Sequence, residues 1–178
     1  MKTKIFTALC ALVLSLVMLR PAPANPEDFS VPSATTDKTF KLSEAKGKFV
    51  ALHFLLKTEC PFCLRHTREY FTKSEKLPNV VQVFLKPDSI EEIKSWAMKL
   101  PPEEVAKNPI YRDADASLAK EFKIPDGYNF HGQSVHYPAL VLLNPEGKEA
   151  FRYVGKDNGD RFSFEKLQAK VAELSKVN

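Results

Sequence analysis

The sequence is poor in glycine, with six in 178 residues, and it holds three cysteines, four histidines and one tryptophan. So few glycines leave no Gly-rich loop to cradle a phosphate. Gly127 and Gly132 stand alone as turn residues, so a nucleotide site has no support. Three cysteines exclude a disulfide-dense scaffold, and the second C-x-x-C that would complete a zinc site is missing. No apolar run reaches the ~20 residues that span a bilayer. What is present, 44% apolar and 27% charged residues, is an ordinary globular composition, and the length suits one domain with a sizeable core.

The formal charge is +4, from 26 Lys and Arg against 22 Asp and Glu, but it is unevenly placed. Lys2 and Lys4 precede an apolar stretch from Ile5 to Leu19, which is followed by Arg20 and Pro21-Ala22-Pro23-Ala24. A basic start, an apolar centre and small residues before a cut after Ala24 are the parts of a secretory signal peptide. The expectation is a cleaved segment 1–24 and a working chain 25–178, periplasmic or secreted, with no membrane insertion of the mature chain; the rival is an uncleaved membrane anchor, for which fifteen apolar residues are short. Removing three basic and no acidic residues leaves a charge of +1, which gives no electrostatic argument for nucleic acid. Cys10 leaves with the segment, so Cys60 and Cys63 remain as a pair.

Residues 25–36 read as an irregular leader and Thr39–Leu42 as a short strand, followed by a helical turn over Ser43–Gly47. The run FVALHFLL, Phe49 to Leu56, suits a strand buried on both faces. Pro61 opens a helix in which Cys63, Leu64, Thr67, Tyr70 and Phe71 recur at helical spacing, ending at Leu77-Pro78-Asn79. Val80 to Leu85 is a second strand, and Ser89 caps a helix reaching Leu100 with Glu91 and Glu92 in its first turn. A loop or short helix lies between Pro101 and Pro109, and another helix over Asp115–Phe122. A loop spans 125–137. Strands Ala139–Leu143 and Ala150–Val154 are joined by Asn144-Pro145-Glu146-Gly147, and Arg161–Leu174 forms the last helix. This order predicts one α/β domain, a central mixed sheet with helices on both faces.

Cys60-Pro61-Phe62-Cys63 lies between a buried strand and an amphipathic helix, the setting of a redox-active dithiol. Cys60 falls just before the first helical turn, where unpaired N–H groups and the positive end of the helix dipole favour a thiolate. Cys63, one turn further in, is expected to be less exposed and to keep its proton longer. The spacing lets Cys63 attack a mixed disulfide formed at Cys60 and release the partner. A structural disulfide closing so short a loop would constrain the unfolded chain little. A metal site of Cys60, Cys63 and His66 lacks further ligands. His53 reads as a hydrogen-bonded core residue, His66 as an exposed helix residue and His131 as a loop residue. Trp96, Phe84, Phe162 and Phe164 are placed in the core.

The stretches KGKFVALHFLLKTECPFC, IYRDADASLAKEFKIP and HYPALVLLNPEGKEAFRYVG resemble the redoxin branch of the thioredoxin superfamily. The resemblance is to exported TlpA/ResA-like thiol–disulfide oxidoreductases, with AhpC/TSA peroxiredoxins as relatives. It implies a thioredoxin-like fold and exchange with protein thiols and disulfides, fed by an upstream redox donor or acceptor, without a cofactor. It also implies that Pro138 is the cis-proline facing the dithiol, the backbone at Tyr137 and Pro138 orienting the substrate. Glu59 stands where the family often has tryptophan, and Phe54 where thioredoxin has a buried acid, which leaves the proton acceptor for Cys63 unassigned. Two other functions stay open. A thiol peroxidase resembles P-x-x-x-[TS]-x-x-C, which neither Cys60 nor Cys63 fits, although Thr58 is near. A Sco-type copper-binding factor would use Cys60, Cys63 and His136.

Overall fold

A computed structural model describes residues 28–176 apart from Thr58 and His131. The expected export segment 1–24 lies outside the described residues, as do the loop residue His131 and the peroxidase candidate Thr58. Among the described residues no helix is long and apolar enough to cross a membrane.

The strands and helices run in chain order as β1 (Ser30–Pro32), β2 (Thr39–Lys41), β3 (Phe49–Phe54), α1 (Pro61–Lys73), β4 (Val80–Lys86), α2 (Ile90–Ala97), α3 (Pro102–Lys107), β5 (Ile110–Arg112), α4 (Ser117–Glu121), β6 (Asp126–Phe130), β7 (Gln133–His136), β8 (Ala139–Leu143), β9 (Glu149–Val154) and α5 (Phe164–Leu174). Five strands form the central sheet in the order β5-β4-β3-β8-β9. The pairs β3–β4 and β4–β5 are parallel, whereas β8 runs antiparallel to β3 and β9 antiparallel to β8. The expected mixed sheet is therefore present, with β3 at its centre.

β3 shows why an apolar run without alternation becomes such a strand. All six of its residues are buried. Phe49 and Ala51 point into a core shared with Tyr70 and Phe71 of α1, Ile93 and Trp96 of α2, and Phe164 and Leu167 of α5. Val50, Leu52 and Phe54 point into a second core with Phe40, Leu118, Ala119 and Phe122. Side chains alternate between faces, so a strand covered on both is apolar wherever no hydrogen-bond partner is at hand, and its one polar residue, His53, is hydrogen-bonded. Trp96, Phe84, Phe162 and Phe164 are core residues, as expected.

Four expectations about elements change. The leader 25–36 contains β1, which pairs antiparallel with β2 through Val31 opposite Phe40 and anchors on the second core. Ile110–Arg112 is a strand added beside β4, too short to show a period in sequence. The expected helix 115–122 is broken: Asp115 and Ala116 take positive φ of 57° and 52°. The helical part, α4, is capped from outside by Asp113, whose carboxylate accepts the N–H groups of Leu118 at 2.8 Å and Ala119 at 3.0 Å. The expected loop 125–137 is a hairpin of β6 and β7. Where capping chemistry was explicit the expectation stands: Ser89 and Glu92 form a reciprocal capping box on α2.

Candidate active site

The dithiol sits where β3 feeds α1. Cys60 is the N-cap of α1 in extended conformation, and Pro61 begins the helix. Both cysteines are reduced and buried, Cys60 with 5% of its surface exposed and Cys63 with none. The order of exposure matches expectation.

Arg161, Lys86 and the Leu56 N–H gather around the inner sulfur. Burial alone would raise Cys63, but a hydrogen bond from Cys60 and the charges of Lys86 and Arg161 outweigh it and bring Cys63 down to about 5. The Leu56 N–H adds a donor 3.3 Å from Cys63 Sγ. Cys60 is pushed up, first by its hydrogen bond to Cys63 and then by burial. The two thiols titrate as one coupled pair, and Arg161 within reach of both sulfurs favours loss of its first proton.

The sequence pattern places Arg161 at the start of the last helix and gives no sign of its role. That helix starts at Phe164, capped by Ser163, whose side chain accepts from the Lys166 N–H. Arg161 therefore belongs to the preceding loop, and its guanidinium lies 3.6 Å from Cys60 Sγ and 3.4 Å from Cys63 Sγ. The loop is pinned on several sides. Tyr70 O–H donates to the Phe162 carbonyl at 2.9 Å, and Tyr153 O–H donates to Asp160 at 2.5 Å. Asp157 accepts the N–H groups of Gly159 and Asp160. The only sequence sign was local: Asp157, Gly159 and Asp160 are turn formers, and Phe162-Ser163 mimics a helix entry.

Lys86 was missed for another reason. A lysine closing a strand ordinarily reaches solvent, yet this one is wholly buried. Its Nζ donates to Leu56 O at 2.5 Å and lies 4.5 Å from the centre of the Trp96 ring.

His53 is buried as expected. With Nε2 donating to Gln82 Oε1 at 2.8 Å, its Nδ1 accepts from His66 Nε2 at 3.0 Å. Burial lowers His53 to about 4, only partly opposed by Gln82. His66 is a correction: it is 6% exposed, not a surface residue, because α1 turns it inward against His53 and Tyr70.

Pro138 is also corrected. The described residues contain no cis peptide bond, so the Tyr137–Pro138 bond is trans, the form an X–Pro bond favours by about 0.5–1 kcal/mol. His136 Nδ1 lies 2.7 Å from the Tyr137 carbonyl oxygen in this arrangement, and the Tyr137 N–H donates to Pro125 O. Pro138 still comes to the dithiol's side of the fold, lining a small gap together with His66 and Arg161. At about 10 Å³ the gap holds one water at most. The Tyr137 ring packs instead against Gly127, where φ is +132° and a Cβ would lie 3.3 Å from the ring.

Among the described residues no three His, Cys, Asp or Glu side chains gather as a metal-binding group. His136 is turned to the Tyr137 carbonyl and the Phe54 ring, so the set Cys60, Cys63 and His136 proposed for copper does not assemble.

No curated protein matches the chain in sequence. Solved structures share its fold at low identity. DsbF of MTB, in mixed oxidised and reduced forms, is 21% identical with a TM-score of 0.64, covering 86% of this chain and 98% of its own. AhpC of Enterococcus faecalis is 20% identical with a TM-score of 0.68, covering 88% and 93%. The exposed lipoprotein thioredoxin Etrx1 of Streptococcus pneumoniae strain TIGR4 is 21% identical with a TM-score of 0.64, covering 83% and 99%. The AhpC/TSA family model matches residues 21–150. The chain belongs to the AhpC/TSA family, in the redoxin branch of the thioredoxin superfamily, and is a thiol–disulfide oxidoreductase.

Proposed function

We propose that the chain acts after export as a dithiol–disulfide exchanger for partner proteins, with Cys60 forming the mixed disulfide and Cys63 resolving it. The carrying observation is the pair itself: two reduced sulfurs one helical turn apart, joined by a hydrogen bond and both within 3.6 Å of one guanidinium. Cys60 holds what little surface the pair exposes, so a partner disulfide reaches it first. Shifting one proton from Cys60 to Cys63 across their hydrogen bond transfers the thiolate to the outer sulfur. That sulfur attacks, and the partner's far sulfur leaves as a thiolate. Cys63 then attacks Cys60, closing the internal disulfide and expelling the partner. The backbone at Tyr137 and Pro138 is the surface against which the partner strand would lie. The gap beside Pro138 is too small for a buried ligand, which favours a macromolecular partner docking from outside.

Cys63→Ala tests the exchange, because a partner caught on Cys60 then cannot be released. The expected result is a covalent adduct lost on reduction and absent from Cys60→Ala/Cys63→Ala. No adduct in Cys63→Ala would refute the mechanism. The direction of electron flow follows from the reduction potential, near −270 mV for a reductant and near −120 mV for an oxidant. Export is tested by the mature N-terminus, expected at Asn25.

A thiol peroxidase is the second function, favoured by the family match and by the guanidinium beside both sulfurs. Rapid oxidation of the reduced protein by hydrogen peroxide, well above the rate of a free thiol, would establish it.

A further inference from the structure

Lys86 closes β4 with no exposed surface, a position where an isolated ammonium is strongly disfavoured. The residues around it explain what it touches. Its Nζ donates to Leu56 O at 2.5 Å, and the same oxygen lies 3.9 Å from Cys63 Sγ. Leu56 also donates its N–H to that sulfur at 3.3 Å. Amine and thiol thus meet across a single backbone residue, on the inner side of the dithiol, away from the surface where a partner would arrive. The other charged or titratable groups facing the amine are Cys60, Asp88 at 3.6 Å and, on α2, Glu92. Phe54, at the position where an acid would otherwise serve the inner thiol, points into the opposite core.

We propose that Lys86 is the buried proton acceptor for Cys63 when the mixed disulfide is resolved. This rests on the assignment of Cys63 as the resolving thiol. While Cys63 is a thiolate, Lys86 is an ammonium; once Cys63 holds the proton from Cys60, Lys86 gives its own proton to the first departing partner sulfur or to water. The neutral amine then takes the proton from Cys63 Sγ, and the resulting thiolate attacks Cys60 Sγ. The Cys60–Cys63 bond forms as the bond from Cys60 to the partner breaks. The partner leaves as a thiolate, which regains a proton from the Lys86 ammonium or from water. The chain's dithiol loses two electrons, and the partner disulfide has gained them. Such an acceptor matters most at this step, because Cys60, once bonded to the partner, no longer donates a hydrogen bond to Cys63. Burial lowers the Lys86 ammonium from its ordinary value, against the raising effect of Cys63 and Asp88, in the direction a base working at neutral pH requires.

The test uses the reduced full chain with excess 5,5′-dithiobis(2-nitrobenzoate) in a stopped-flow instrument. One thionitrobenzoate is released when Cys60 reacts and a second when Cys63 resolves. Lys86→Met is expected to slow the second release about 100-fold at pH 7. The rate should recover about tenfold for each pH unit above 7, as Cys63 ionises unaided. Lys86→Arg keeps the cation but takes up no proton at these pH values, so it should stay slow. If Lys86→Met does not fold, Lys86→Met/Asp88→Asn removes the unbalanced carboxylate as well. An unchanged second release in the methionine variants would overturn the proposal. So would full rescue by arginine, or a slowing that is the same at every pH. If wild type shows no second release, the assignment of Cys63 fails first and takes this one with it.

Discussion

Replacing Arg161 by methionine tests whether the guanidinium sets the redox balance of the dithiol. It contributes contacts of 3.6 and 3.4 Å to the two sulfurs, at a residue that is partly exposed. A hydrogen bond to a charged group is worth about 1.5–3 kcal/mol, and partial exposure argues for the lower end. The contact favours the thiolate and hence the reduced form, since the disulfide carries no charge for it to hold. Losing about 1.4 kcal/mol corresponds to about one pH unit in the thiol and about 30 mV in a two-electron potential. Arg161→Met should therefore move Cys63 from about 5 to ~6 and make the potential ~30 mV more negative. Thiolate absorbance at 240 nm against pH gives the first quantity, and equilibration with glutathione buffers gives the second. Lys at the same position should recover part of the effect through charge alone. Unchanged titration and potential would refute the reasoning, and a less negative potential would reverse its sign.

Two further predictions rest on the same region. Gly155→Ala places a Cβ against the Asp160 carbonyl and 2.9 Å from Pro138 Cγ, so the loop holding Arg161 must shift. The expected cost is about 1–3 kcal/mol in urea unfolding, accompanied by a rise in the Cys63 thiol like that of Arg161→Met; loss of stability without that rise would separate the loop from the dithiol. His53 stays neutral in the fold down to about 4, whereas the unfolded chain protonates it near 6.5. The native state thus has full stability from this residue above about 6.5 and loses it as pH falls towards 4, by about 3 kcal/mol. His66, also lowered by burial, acts in the same direction. Urea midpoints of the oxidised protein, in which neither thiol titrates, should fall between pH 7 and 4, and a flat profile would contradict the burial argument.

Legibility followed the range of the interactions. The strands β3 and β8 were readable because β8 is apolar throughout and β3 at every position but His53, as burial on both faces demands. The α1 stripe and the Ser89 capping box are local patterns, set within one or two turns of chain. The hairpin β6–β7 was not readable because polar residues interrupt both strands, DGYNF and QSVH, and leave no apolar alternation. His66 sits among Arg65, Arg68 and Glu69 in sequence, and only the position of His53 on the neighbouring strand explains why it turns inward.

The sequence by itself determined the dithiol and its place at a strand–helix junction, because four consecutive residues and the periodicities around them carry that information. It also determined the central sheet, through the apolar runs that a doubly covered strand demands. Only the tertiary structure decided which charged groups surround the two sulfurs. Arg161 lies 98 residues from Cys63 and Lys86 lies 30 from Leu56. Helix position alone favours a thiolate at Cys60, whereas two distant cations and a backbone N–H also converge on Cys63. Electrostatic energy depends on distance in space, and no local spacing encodes that convergence.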